Sequence, residues 1–194
     1  MVGKESGNQE LFMGKLILLL GGARSGKSST AERMAHERGG EEVLYIATAQ
    51  AFDDEMRERI AKHQAERPHG WRTLEAPLAV AAQVMALSSL PDVILLDCVT
   101  LLASNVLLAL PDPENASQDA ANTAILDEIS DLLALIQSST AIWIVVSNEV
   151  GMGVVPPYKL GRLYRDALGA ANQRLAAAAD EVHLLVAGLT WRLK

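Results

Sequence analysis

The sequence predicts an α/β domain: a mostly parallel sheet flanked by helices. Three observations point there. Short, continuous apolar runs rich in β-branched residues recur along the chain, longer segments with helical spacing separate them, and a glycine-rich loop joins the first run to the first helical segment. A strand buried on both faces reads as an unbroken apolar run, and strand–helix alternation argues for parallel strands joined by helical crossovers.

Taken in order, residues 1–14 are polar, mixed in charge and lack the apolar stretch of about 7–15 residues of a signal peptide. They are expected to be a disordered leader, with residues 15–194 forming a single domain. Leu16–Leu20 is the first predicted strand and Lys27–Arg38 the first helix. Val43–Ala47 is the next strand, and Asp53–Arg67 reads as a helix opened by Asp53 as its N-cap. Leu78–Ser89 is helical by spacing. Val93–Leu110 approaches a membrane span in length and hydropathy, but Asp97, Thr100, Ser104 and Asn105 interrupt it and Pro91 and Pro111 bracket it. It is read as a buried strand, Val93–Leu96, running into a helix. Pro111–Asp119 is a surface connection, Ala116–Gln137 a helix, Ile142–Val146 a strand, Tyr158–Ala178 a helix and Val182–Ala187 a strand. Thr190–Leu193 is expected to add an edge strand through a tight turn near Gly188.

Composition excludes several functions. Half the 194 residues are apolar (49%) and the net charge is −7, so the chain builds a core but offers no basic surface for gripping nucleic acid through its phosphates. Three Trp, three Tyr and two Phe leave little for base stacking. The single cysteine, Cys98, rules out an internal disulfide and a cysteine-based zinc cage, and places the chain in a reducing, cytoplasmic setting without a membrane span.

An acidic chain can still hold an anion locally. Gly21, Gly22, Ala23, Arg24, Ser25, Gly26, Lys27 and Ser28 fit G-x-x-x-x-G-K-[ST] in a strand–loop–helix setting. Glycines let the backbone approach phosphates closely, and successive N–H groups at a helix N-terminus form an anion nest. Lys27 is expected at the β/γ-phosphates and Ser28 on Mg²⁺. Asp97, directly after Val93–Leu96, takes the place of a Walker B carboxylate that holds the same metal directly or through water. The domain is thus a P-loop NTPase, RecA-like in arrangement. Ser147-Asn148-Glu149-Val150 stands where a switch GTPase would carry N-K-x-D, no L-S-G-G-Q signature of a transporter ATPase is present, and a DNA motor would need a basic path. A small-molecule kinase fits the size.

Further segments are unusual for a plain kinase: Tyr45–Gln50, Asp53-Asp54-Glu55-Met56 leading to R-I-x-x-H-x-x-x-R-P, Trp71–Glu75, Asn148-Glu149-Val150-Gly151-Met152-Gly153, and Asn172–Val182. In that combination and order, from about Lys15 to Lys194, the chain resembles the bifunctional adenosylcobinamide kinase / adenosylcobinamide-phosphate guanylyltransferase family of cobalamin biosynthesis. The resemblance implies two reactions. ATP or GTP phosphorylates the aminopropanol hydroxyl of adenosylcobinamide. GMP from GTP is then transferred to that phosphate through a GMP–histidine intermediate, releasing pyrophosphate. The alternatives are a kinase that has lost guanylyl transfer, and a nucleotide-binding module without turnover.

The matching histidine is His63. Met56, Ile60, His63 and Arg67 fall on one helical face, and on pattern alone His63 reads as a half-buried helical histidine. The resemblance implies that it is the nucleophile, for which a neutral imidazole is well suited. Lys62 stands beside it where some relatives have a second histidine. His36 reads as a helix C-terminal or solvated residue, His69 lies in a turn, and His183 alternates with apolar residues in a strand. By the same resemblance the nucleotide contacts are Gly21–Ser28, Ala47, Thr48, Ala49, Gln64, Ala65, Glu66, Arg67, Glu75 and Asp97. Glu75 is suited to accept from guanine N1–H and N2–H₂. Asn148–Gly153 is expected to line the corrinoid or the nucleotide side. Lys159, Arg162 and Arg165 form a basic helix face that meets either phosphate or solvent. The resemblance also implies a homotrimer.

Overall fold

The computed structural model describes residues 14–51, 54, 57, 58 and 67–194. In chain order the elements are β1 (Lys15–Gly21), α1 (Lys27–Gly39), β2 (Val43–Ala47), β3 (Arg72–Glu75), α2 (Val80–Met85), β4 (Val93–Asp97), α3 (Val99–Leu108), α4 (Gln118–Ser138), β5 (Ile142–Asn148), α5 (Lys159–Ala178), β6 (Glu181–Val186) and β7 (Leu189–Arg192). The strands form one seven-stranded sheet in the order β3-β2-β4-β5-β1-β6-β7. Every pairing is parallel except β6–β7. A mostly parallel sheet flanked by helices is what the alternation of runs predicts, and the phosphate-loop strand β1 lies between β5 and β6.

Side-chain alternation divides the core. Ile17, Leu19, Tyr45, Leu95 and Ile144 pack under α1 with Ala31, Met34 and Ala35. Leu16, Leu18, Leu44, Ile46, Ile94, Leu96, Trp143 and Val145 pack on the other face against α2–α5. Both faces of the central strands are therefore covered, which is why β2 is buried at every position. Each such aliphatic side chain contributes roughly 1.5–3 kcal/mol of burial. The α4 N-terminus is closed by Ser117, whose hydroxyl accepts from Ala120 N at 3.1 Å.

Three local expectations are corrected. Arg72–Glu75 is a strand that periodicity does not reveal. It is an exposed, polar edge, and its pairing with β2 rather than its own pattern makes it extended. The helix expected over Leu78–Ser89 is only α2. Its first amides are capped from a distance by Glu128, which accepts from Ala79 N at 3.1 Å and Val80 N at 2.9 Å. The helix expected over Asp53–Arg67 does not reach Arg67, which sits in a bend because the residue before Pro68 is disfavoured from helical geometry. Asp54, Arg57 and Glu58 are helical, and the rest of that segment, His63 included, lies outside the described residues.

The expected edge strand is present. Ala187 and Gly188, both at positive φ (51° and 82°), form a two-residue turn that twists β7 back along β6.

Candidate functional site

Buried polar side chains mark the working end of the sheet. Ser25, Lys27, Thr48, Thr100, Asn105, Ser147 and Asn172 are the buried polar residues among those described. They belong to the loops and helices that meet the C-terminal ends of β1, β2, β4 and β5, or to the strand ends themselves. Buried polar groups persist only when paired, and here they are. Thr48 Oγ1 donates to Cys98 O (2.7 Å) and accepts from Cys98 N (2.9 Å), tying the end of β2 to that of β4. Asn105 Nδ2 donates to Thr48 O (2.8 Å) and Pro77 O (3.0 Å). Thr100 Oγ1 accepts from Asn148 N at 2.7 Å, and Tyr164 donates to Thr100 O. Ser147 Oγ donates to Asn172 Oδ1 (2.6 Å), while Asn172 Nδ2 donates to Asn148 O (2.9 Å). The rim on which ligands bind in open α/β sheets is therefore braced from beneath.

The phosphate loop leaves β1 at Gly21. A Cβ there would stand 2.4 Å from Leu185 O and 2.7 Å from Ser25 Oγ, so only glycine fits between β6 and the loop. Arg24 (φ 57°) and Gly26 (φ 92°) turn the chain into α1. Two backbone bonds anchor the loop from outside: Glu149 N donates to Gly21 O and Gly188 N donates to Ser25 O, both at 3.0 Å. The β6–β7 turn thus backs the loop, a role with no local motif to announce it.

Lys27 is buried, and its ammonium donates to Gly22 O at 2.6 Å and Ser25 Oγ at 3.4 Å. Burial lowers its pKa, against the opposing pull of Cys98 and Asp97. Burial, reinforced by Asp97, pushes the Cys98 thiol up to about 11, so it stays protonated at neutral pH.

Asp97 ends β4 on the α1 side of the sheet. In register with it lie Ala47 on β2 and Glu75 on β3. Asp97 accepts from Tyr45 Oη at 3.1 Å. The Arg67 guanidinium lies 3.6 Å from the centroid of the same tyrosine ring, a cation–π contact. Burial and Asp97 raise the Tyr45 pKa, against the pull of Arg67, so the phenol remains a donor. Arg67 Nη1 donates to Thr73 Oγ1 at 3.3 Å, and its Nε is buried without a partner among the described residues. A buried, unpaired guanidinium N–H at a strand-end rim is suited to an anion.

The structure thus brings Gly21–Ser28, Ala47, Thr48, Arg67, Glu75 and Asp97 to one end of the sheet, with Ala49 just beyond β2. Gln64, Ala65, Glu66 and the candidate nucleophile His63 lie outside the described residues. Of the basic face on α5, Arg162 donates to Pro156 O and Pro157 O, and Arg165 pairs with Asp166. His36 meets Gly40 O, and His183 meets Glu181. Tyr45, Thr100, Asn105 and Asn172 were not among the predicted site residues. The signal was weak: a polar residue inside an apolar strand or helix.

For a divalent cation, the donor set is a hydroxyl, Ser28, and a carboxylate, Asp97. Among the described residues no cluster of three or more His, Cys, Asp or Glu forms a closed metal site. Hard oxygen donors few in number suit Mg²⁺, which keeps waters and shares nucleotide phosphates rather than entering an all-protein cage.

Residues 17–193 match the family described as cobinamide kinase / cobinamide phosphate guanyltransferase. The bifunctional adenosylcobalamin biosynthesis protein CobU of Salmonella typhimurium (strain LT2) is 47% identical over 182 residues, covering 92% of this chain and 99% of that protein. CobU of Escherichia coli (strain K12) is 43% identical over the same shares of both chains. The bifunctional adenosylcobalamin biosynthesis protein CobP of Pseudomonas aeruginosa is 47% identical over 177 residues, 91% of this chain and 96% of that one. Among solved structures, the flagellar accessory protein FlaH of Methanocaldococcus jannaschii overlaps loosely, with a TM-score of 0.49 at 16% identity over 94% of this chain and 79% of that one.

Proposed function

The chain belongs to the cobinamide kinase / cobinamide phosphate guanyltransferase family, and from that premise we propose how its residues divide the two reactions. In the first, the acceptor hydroxyl oxygen bonds to the γ-phosphorus of ATP or GTP, the bond to the β,γ-bridging oxygen breaks, and the nucleoside diphosphate leaves. The amides of Gly21–Ser28 and the Lys27 ammonium hold the phosphates and meet the charge that develops on them. Ser28 and Asp97 would hold Mg²⁺, which when bound would neutralise phosphate charge.

In the second reaction the His63 imidazole bonds to the α-phosphorus of GTP and pyrophosphate leaves. A phosphate oxygen of cobinamide phosphate then attacks the same phosphorus, the P–N bond breaks, and the corrinoid carries GDP. Splitting one displacement into two through a nucleophile with a neutral leaving form is the physical gain. Arg67 would meet a phosphate and Glu75 the guanine edge, the roles that the family resemblance implies.

The observation that carries this reading is the gathering of the phosphate loop, Asp97, the Tyr45–Arg67 stack and Glu75 at one braced end of the sheet. We further propose that the chain works in the cytoplasm as a homo-oligomer, a trimer in keeping with the family resemblance. No helix among the described residues is long and apolar enough to cross a membrane. Self-association is favoured by a bare apolar row on β6–β7, where Leu189 is 76% and Trp191 68% exposed.

Incubation with α-labelled GTP tests the nucleophile. Wild type is expected to carry GMP through an acid-labile, base-stable P–N bond, and His63→Ala to carry none. Equal labelling of the variant would remove His63 from the mechanism.

A further inference from the structure

The phosphate loop has a second side. On the face of the sheet opposite Asp97, a cleft of about 620 Å³ opens between the end of β1, the segment after β5 and one flank of α5. Leu20, Glu149, Arg165, Gly169, Asn172 and Gln173 are among its walls. Leu20 packs with the core on the α2–α5 side, whereas the Asp97 row lies on the α1 side. The cleft begins one bond from the loop, since Glu149 N donates to Gly21 O at 3.0 Å.

We infer that this cleft receives the alcohol-bearing arm and the adjoining amide-fringed edge of cobinamide, and that Glu149 takes the hydroxyl proton. The inference rests on the proposed kinase reaction. Its size falls within the range of about 300–1,000 Å³ of small-molecule sites. Its chemistry matches primary amides, which both donate and accept. Glu149 supplies acceptors, Arg165 donors and Gln173 both, over an apolar floor of Leu20, Ala170 and Ala176. Asn172 is tied to the strand end and fixes the wall.

Glu149 is preorganised. Its Oε1 accepts from Gly151 N at 2.6 Å, which closes the turn after β5 and fixes the carboxylate at the cleft wall, while its backbone N is bonded to the loop at Gly21 O. As the acceptor oxygen bonds to the γ-phosphorus and the β,γ-bridging bond breaks, the proton passes to Oε2. Phosphate donor and corrinoid acceptor thus approach the loop from opposite faces of the sheet and do not compete for space.

Steady-state phosphorylation of cobinamide, with GTP affinity measured separately by calorimetry, tests this on two variants. A Cβ at Gly169 meets no atom within 4 Å, and leucine is the better helix former, so Gly169→Leu folds and narrows the cleft. It is expected to raise KM for cobinamide by about tenfold or more with GTP affinity unchanged. Glu149→Gln keeps the acceptor for Gly151 N and is expected to lower kcat about a hundredfold with little change in KM. An unchanged KM in Gly169→Leu overturns the cleft, and an unchanged kcat in Glu149→Gln overturns the proton role. If wild type binds GTP but does not phosphorylate cobinamide, the kinase reading itself fails.

Discussion

Thr48 fastens the two strand ends that carry the site, and Thr48→Val measures that fastening. The side chain is fully buried, and its one hydroxyl both donates to Cys98 O and accepts from Cys98 N. Valine keeps the shape and removes both bonds together. An intramolecular hydrogen bond is worth about 0.5–1.5 kcal/mol net, but a buried group left unsatisfied costs about 1–3 kcal/mol. Cys98 O keeps its bond from Leu102 N, so the amide of Cys98 is the group stranded, and with the second bond also lost the expected loss is about 1.5–4.5 kcal/mol. That is a large share of a total stability of about 5–15 kcal/mol. At this chain length each kcal/mol lowers Tm by about 2–4 °C, so a fall of about 3–18 °C is expected. Urea unfolding followed by the fluorescence of the buried Trp71 and Trp143 reads the loss directly. Thr48→Ser, which keeps the hydroxyl, is expected to recover most of it. Because Cys98 follows Asp97, GTP affinity in Mg²⁺ should weaken in the valine variant and not in the serine one. A stability loss below about 0.5 kcal/mol would refute the reasoning.

Three other outcomes follow from the same geometry. Gly21→Ala places a methyl group 2.4 Å from Leu185 O, so the phosphate loop shifts; GTP affinity by calorimetry is expected to fall at least tenfold, about 1.4 kcal/mol. The Glu181 carboxyl is held down from 4.5 to about 2, chiefly by Lys15 and with help from His183, against its partial burial. A depressed folded-state pKa stabilises above the unfolded value, so this contribution is lost as pH falls from about 4.5 to about 2; Glu181→Gln is expected to flatten stability in that window when urea midpoints are compared. Trp191→Glu puts a charge on the exposed β6–β7 row, and sedimentation is expected to show dissociation to smaller species with unfolding midpoints at low concentration unchanged.

The central sheet is legible in the sequence because burial on both faces leaves a plain mark: β1, β2, β4 and β5 are unbroken apolar runs. The phosphate loop is legible because chemistry fixes its residue types. β3 is not, since a polar edge strand takes its conformation from its neighbour. Arg67 is legible as a candidate cation, but its seat on Tyr45 is not. A tyrosine among Leu44 and Ile46 reads as core, and only the fold sets its hydroxyl beside Asp97. The bracing residues Asn105 and Asn172 are hidden for a related reason. Their partners are strand-end carbonyls 57 and 24 residues away, which no local spacing encodes. The backing of Ser25 by Gly188 is likewise a tertiary fact.

The most direct test is mass analysis of the corrinoid after the protein is incubated with GTP, Mg²⁺ and cobinamide. Wild type is expected to yield cobinamide phosphate and then cobinamide-GDP with release of pyrophosphate. Lys27→Ala is expected to yield neither from cobinamide, and His63→Ala to stop at the phosphate. Unchanged cobinamide in the wild-type reaction, with GTP bound, would contradict the account.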